Sequence, residues 1–147
     1  MEQTIRWVNP LLPEEKPRHL LGIGEPLQLF IAVEHGVDTF DCVAPTREAR
    51  NGRLYTHDGT MNITNARFTR DFTPIDDACG CSTCESGFTR AYLAHLFRAG
   101  EILGLTLASV HNLYFLLQLM KNIRQAILDD RFFVFKGDFF SRFYGSK

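Results

Sequence analysis

The chain has 147 residues, 45% of them apolar, 12% aromatic and 22% charged, with 11 Gly and 6 Pro. That is the size of one ordinary domain with material for a sizeable core, and it excludes the low-hydrophobicity, high-charge composition of a disordered chain. Sixteen Lys and Arg against 17 Asp and Glu leave a formal charge of -1, which excludes a uniformly basic nucleic-acid binder and a polyacidic tail.

From the amino terminus, Met1 to Pro10 lacks the apolar run of a secretory signal, and no window approaches the ~18 to 20 consecutive apolar residues of a membrane span. A soluble, cytoplasmic protein with no membrane partner is expected. Pro10-Leu-Leu-Pro-Glu-Glu-Lys-Pro17 reads as a loop, because proline fixes φ and restricts the residue before it. The apolar run His19 to Gly24 predicts a strand and a turn, and Pro26 suits the first turn of a helix over Leu27 to His35 that Gly36 ends. Asp38 to Ala44 predicts a second strand, stopped by Pro45, and the three elements make one βαβ unit with a parallel pair.

Beyond Pro45 the pattern changes. Arg53 to His57 and Met61 to Asn65 flank Asp58-Gly59, a two-residue hairpin signal. Between residues 45 and 70, Arg47, Arg50, Arg53, Arg67 and Arg70 face only Glu48 and Asp58, the one basic patch of the chain. Thr89 precedes a helix with an apolar stripe of Tyr92, Leu93, Leu96, Ile102 and Leu103, for which Gly104 is the expected end. A second helix is expected from about Ser109 to Leu128, carrying Val110, Leu113, Leu117, Met120, Ile123 and Ile127, before an aromatic-rich tail from Phe132 to Tyr144.

Three of the four cysteines fall within six residues, Cys79-Gly-Cys81-Ser-Thr-Cys84, while Cys42 lies far upstream. Such clustering points to a metal ion rather than to disulfides. Zinc prefers four tetrahedral sulfur and nitrogen ligands, so a fourth is required, and spacing alone leaves His95, His111, His57 and Cys42 open. An ion held by four protein ligands has no position for water, which makes it structural. Asp41 closes the second strand, where functional residues of βα sheets collect, although an Asp there also serves as a turn former or helix cap.

Several ordered motifs go further: Gly36-Val-Asp-Thr-Phe-Asp-Cys-Val-Ala-Pro-Thr-Arg-Glu-Ala-Arg-Asn-Gly52, Asn65-Ala-Arg-Phe68, the cysteine cluster, Thr89-Arg-Ala-Tyr-Leu93, Gly100-Glu-Ile-Leu-Gly104 and His111-Asn-Leu113. From about Leu12 to Tyr144 the chain resembles the carboxyl-terminal part of the tRNA-guanine transglycosylases, also called queuine tRNA-ribosyltransferases, in wording close to the bacterial branch. The resemblance implies exchange of guanine at the anticodon wobble position of tRNA for a 7-deazaguanine such as preQ1, in the queuosine pathway. It also implies a covalent Asp-ribose intermediate and retention by two displacements, the logic of retaining glycosidases. Asp41 falls on the nucleophile, Arg47 and Arg50 on RNA contacts, Leu21 and Gly22 on the strand end that packs against the substrate base, and Cys79, Cys81, Cys84 and His111 on the zinc ligands. Leu21 stands where Met is common, and Glu85-Ser-Gly-Phe88 is one residue longer than the usual link.

The implied fold is α/β: the last two strands and crossover helix of a TIM (β/α)8 barrel, with an inserted zinc-binding α+β subdomain and closing helices. On this reading residues 1–44 are the last βαβ unit, 45–111 the zinc subdomain with its hairpin, and 112–147 the closing helices. A whole barrel needs about 250 residues, so the chain is expected to be a fragment inactive alone, working as a homodimer or with a complementary barrel fragment. The competing expectation is a non-catalytic zinc module that binds tRNA or pairs with another subunit.

Overall fold

Pro26 in its first turn and Gly36 just past its end bound the helix α2 (Pro26–Glu34), the connection between two short strands. The computed structural model describes residues 1–145 and consists of two units, Met1–Ala44 and Pro45–Lys147. In the first unit a helix, α1 (Glu2–Val8), and a 3-10 turn (Asn9–Leu11) precede β1 (His19–Leu21), α2 and β2 (Thr39–Asp41). The strands pair in parallel, with His19 opposite Thr39, Leu20 opposite Phe40 and Leu21 opposite Asp41. Ile5, Ala32 and Val37 form the core, with Leu20 and Phe40 packed on it. The βαβ unit is therefore present, and α1 is an addition that the Pro-rich opening did not signal.

Helix α3 (Ala44–Arg50) begins where a strand end was expected. The strand stops at Asp41, and Pro45 serves the first turn of a helix, where its fixed φ fits and its missing N–H is not needed. The hairpin of β3 (Arg53–Thr56) and β4 (Gly59–Asn62) follows, antiparallel, with Thr56 opposite Gly59. Its connecting residues are therefore His57 and Asp58 rather than Asp58 and Gly59, and Gly59 opens the return strand. A 3-10 turn (Ala66–Arg70) and the single-turn helix α4 (Ser82–Glu85) lead to three longer helices: α5 (Arg90–Ala99), α6 (Ile102–Leu128) and α7 (Phe132–Gly145).

The boundary between α5 and α6 differs from expectation. Helix α5 ends at Gly100, whose φ of 73° is left-handed, and the N–H groups of Gly100 and Glu101 donate to the carbonyls of Phe97 (3.3 Å) and Leu96 (2.9 Å). That pair of bonds is the Schellman cap, which satisfies the last carbonyls of a helix. Gly104 instead lies in the first turn of α6, where a Cβ would come within 2.9 Å of Leu96 Cβ, so its role is to let α5 and α6 approach.

Helix α6 has 27 residues and is, among the described residues, long and apolar enough by length and composition to cross a membrane. Counting consecutive apolar residues misses this, because Thr106, His111, Asn112, Gln118 and Lys121 interrupt the run. The helix nevertheless buries Leu107, Ala108, His111, Asn112, Phe115 and Ile123 inside the second unit, which makes it that unit's central helix. Leu54, Ile63, Phe68, Ile75 and Leu93 complete a core that includes the three clustered cysteines.

Candidate metal centre

The loop Cys79 to Cys84 delivers three sulfurs to one side of α6. Cys81 caps α4, its sulfur accepting the Cys84 N–H at 3.4 Å, and Thr83 ties the loop to α6 by donating its hydroxyl to the Leu107 carbonyl at 2.9 Å. His111, fully buried in α6, points Nδ1 at all three sulfurs: 3.6 Å to Cys79, 3.4 Å to Cys81 and 3.5 Å to Cys84. The four ligand atoms lie within 4.8 Å of one another. Tetrahedral zinc, with bonds of ~2.3 Å to sulfur and ~2.0 Å to nitrogen, separates those atoms by roughly 3.5 Å, so the donor set and its dimensions fit the ion.

The surroundings suit it as well. His111 Nε2 donates to the Tyr55 carbonyl at 2.6 Å, which leaves Nδ1 as the free lone pair for a metal and fixes the ring. Hydrogen bonds from the Cys79 and Cys84 thiols hold Cys81 far below the usual thiol range, while the bond to Cys81 pushes Cys79 far above it. Burial disfavours a charged His111, but its bonds to the Cys81 and Cys84 sulfurs overcome that and push the ring up to about 9. Three sulfurs and an imidazole this close compete for protons; a divalent cation replaces that competition with four bonds. Cys79, Cys81, Cys84 and His111 thus form a site for one structural zinc ion.

The other sequence candidates for the fourth ligand are elsewhere. His95 is exposed on α5, and Cys42 belongs to the first unit. His57 is taken by Asp76, whose carboxylate accepts from the His57 ring and backbone N–H (2.7 Å each) and from the Ala78 N–H (2.9 Å). Burial works to raise the Asp76 carboxyl, and these bonds outweigh it, leaving the group below the usual carboxylate range.

Asp41, Leu21 and Gly22 come together in the first unit. Leu21 and Asp41 are directly opposite at the carboxyl ends of parallel strands, so their side chains share one face, and the Gly22 N–H donates to the Asp41 carbonyl at 2.7 Å. Leu21 is 66% exposed and Asp41 is exposed. Arg47 and Arg50 belong to the second unit, three residues apart on α3, and both are exposed. Arg53, by contrast, is paired with Glu48 at 3.2 Å, and Arg67 lies over the Phe68 ring.

Sequence reasoning missed Asn112. Its amide donates to the carbonyls of Pro45 (3.1 Å) and Arg53 (2.9 Å), and its oxygen accepts the Tyr55 N–H at 3.1 Å. Consecutive residues of α6 therefore hold both backbone groups of Tyr55. The only signal was its place beside His111.

Residues 1–145 match the family model described as queuine tRNA-ribosyltransferase. Among curated relatives, the queuine tRNA-ribosyltransferase of Lactococcus lactis subsp. cremoris (strain SK11) is 53% identical over 143 residues, 97% of this chain and 37% of the relative. Those of Streptococcus suis (strain 98HAH33) and Bacillus subtilis (strain 168) are 52% and 50% identical, over 99% and 97% of this chain. The chain spans 37% to 38% of the length of these relatives.

Proposed function

Because the chain belongs to the queuine tRNA-ribosyltransferase family, we propose that it supplies the carboxyl-terminal part of a cytoplasmic tRNA-guanine transglycosylase. In this reading Met1–Ala44 is the last βαβ unit of a (β/α)8 barrel, and the second unit holds the zinc subdomain and the closing helices together, because α6 (Ile102–Leu128) runs through residue 111, where a boundary between them was expected. The observation that carries it is the juxtaposition of Leu21, Gly22 and Asp41 at the carboxyl ends of two parallel strands, the end at which barrel enzymes place their chemistry.

The reaction is a double displacement at the ribose of a guanine wobble base. An Asp41 carboxylate oxygen bonds to C1′ as the bond from C1′ to guanine breaks; the purine nitrogen leaves with the electron pair and takes a proton from an acid. The nitrogen of preQ1 or another 7-deazaguanine, having lost its proton, then attacks C1′ and returns Asp41 to a carboxylate, with configuration retained. Leu21 offers an apolar face to the base, and Gly22 leaves it room. Arg47 and Arg50 hold the anticodon loop by phosphate or base-edge contacts. Zinc, bound by Cys79, Cys81, Cys84 and His111, contributes structure to the second unit and no step of the exchange.

A barrel needs more strands than this chain provides, so exchange requires a complementary barrel fragment or the pooling of strands in a homodimer. The test is covalent capture. The chain, assembled with the remaining part of a relative's barrel, is incubated with cognate tRNA and run under denaturing conditions. A protein–RNA adduct that disappears in Asp41→Asn supports the assignment, and an adduct that survives the substitution overturns it. One observation favours a second reading, a non-catalytic zinc module: the second unit closes its own core around the metal centre. An adduct in the same experiment removes that reading.

A further inference from the structure

The residue after the metal ligand His111 is bonded to the helix that carries the two arginines. Asn112 is fully buried and follows the metal ligand His111 on α6. One of its amide bonds ends on the carbonyl of Pro45, in the first turn of α3, and the other on that of Arg53, the first residue of β3. With its oxygen on the Tyr55 N–H, the side chain spends both donors and its acceptor on three backbone positions that bracket α3. The rest of α3 is held by other means. Ala49 is buried in the same core as the three cysteines, and Asn51 closes the carboxyl end by donating its side-chain amide to the Arg47 carbonyl at 2.8 Å. Arg47 and Arg50, one turn apart, are left pointing to solvent from a helix whose backbone is fixed at both ends.

From this we infer that Asn112 is a positioning residue for RNA binding. It locks the start of α3 to the helix that carries His111, so that Arg47 and Arg50 meet RNA as a preformed pair. The physical gain is pre-organisation: seven residues are too few to hold a helix in water, and two long cationic side chains on a fraying turn would spend part of their interaction with phosphate on ordering it. The inference rests on the reading of Arg47 and Arg50 as RNA contacts and adds the group through which the metal centre supports them.

A mutant cycle tests it. The probe is a synthetic anticodon stem–loop RNA with guanine at the wobble position, its affinity for the full 147-residue chain measured by fluorescence anisotropy over a series of salt concentrations, with zinc content determined on each sample. The pair Arg47→Ala/Arg50→Ala is expected to weaken binding about tenfold and to reduce the salt slope by roughly one for each phosphate no longer neutralised. Asn112→Ala, with its zinc retained, is expected to weaken binding by a similar factor, to reduce the slope likewise, and to add nothing when combined with the arginine pair. Full affinity in Asn112→Ala beside a weakened arginine pair overturns the inference and leaves the RNA-binding role of the arginines standing. Additive losses overturn it too, since Asn112 would then act elsewhere than through α3. Unchanged binding by the arginine pair overturns the RNA-binding reading of Arg47 and Arg50, and the inference with it. If Asn112→Ala does not retain zinc, Asn112→Ser, which keeps one donor, takes its place in the cycle under the same criteria.

Discussion

Cys81 does two jobs, as metal ligand and as cap of α4, and so its loss is felt twice. Cys81→Ala is expected to release zinc and lower the melting temperature of the chain; unchanged metal content and an unchanged melting curve would rule that out. Asp76 supports the same region by accepting three N–H bonds, two of them from His57. Asp76→Ala leaves those donors buried or half-buried without the carboxylate, and a loss of about 2 kcal/mol in urea unfolding at saturating zinc is expected. The ligand cysteines were legible in the sequence because a metal loop is a local pattern. The fourth ligand was not legible from spacing alone, since His57, His95 and His111 differ only in where the fold carries them; the resemblance carried by His111-Asn-Leu113 named His111, and the four side chains do converge. Asp76 and Asn112 were invisible for a related reason: a buried acceptor or amide has no spacing rule, and His57 lies 19 residues from Asp76 while the partners of Asn112 lie up to 67 residues away.

At the scale of elements, glycine positions decide the turn between α5 and α6. Gly100→Ala forces a left-handed φ of 73° on a residue with a Cβ and is expected to cost about 1 kcal/mol in thermal or urea unfolding. Gly104→Ala is expected to destabilise as well, by roughly 1 to 3 kcal/mol, because the new methyl meets Leu96 Cβ at 2.9 Å and outweighs the helix propensity gained. Equal or greater stability in both variants would contradict these roles of the two glycines. The sequence shows both glycines in one motif, Gly100-Glu-Ile-Leu-Gly104, and periodicity alone picks the wrong one as the stop, since Ile102 and Leu103 continue the apolar stripe of α5. Pro45 misleads in the same way: as a strand stop it is correct within a few residues, yet its function is to begin α3. The βαβ unit, by contrast, was readable, because Pro26 and Gly36 punctuate it and β-formers surround Phe40.

For the whole molecule, the two units divide the proposed labour. The first carries the carboxylate and the exposed apolar strand end that we propose meet the base, and the second carries the metal centre and the arginines. Among the described residues the parallel pair consists of two strands, and the chain spans 37% of the length of the Lactococcus lactis relative. The proposed function turns on Asp41 as the nucleophile of base exchange. Its most direct test is the incorporation of labelled guanine into cognate tRNA by the chain assembled with the remaining part of a relative's barrel, with Asp41 and with Asp41→Asn at equal zinc content. Incorporation by the parent assembly and none by Asp41→Asn is expected; equal incorporation by the two would contradict a nucleophilic Asp41.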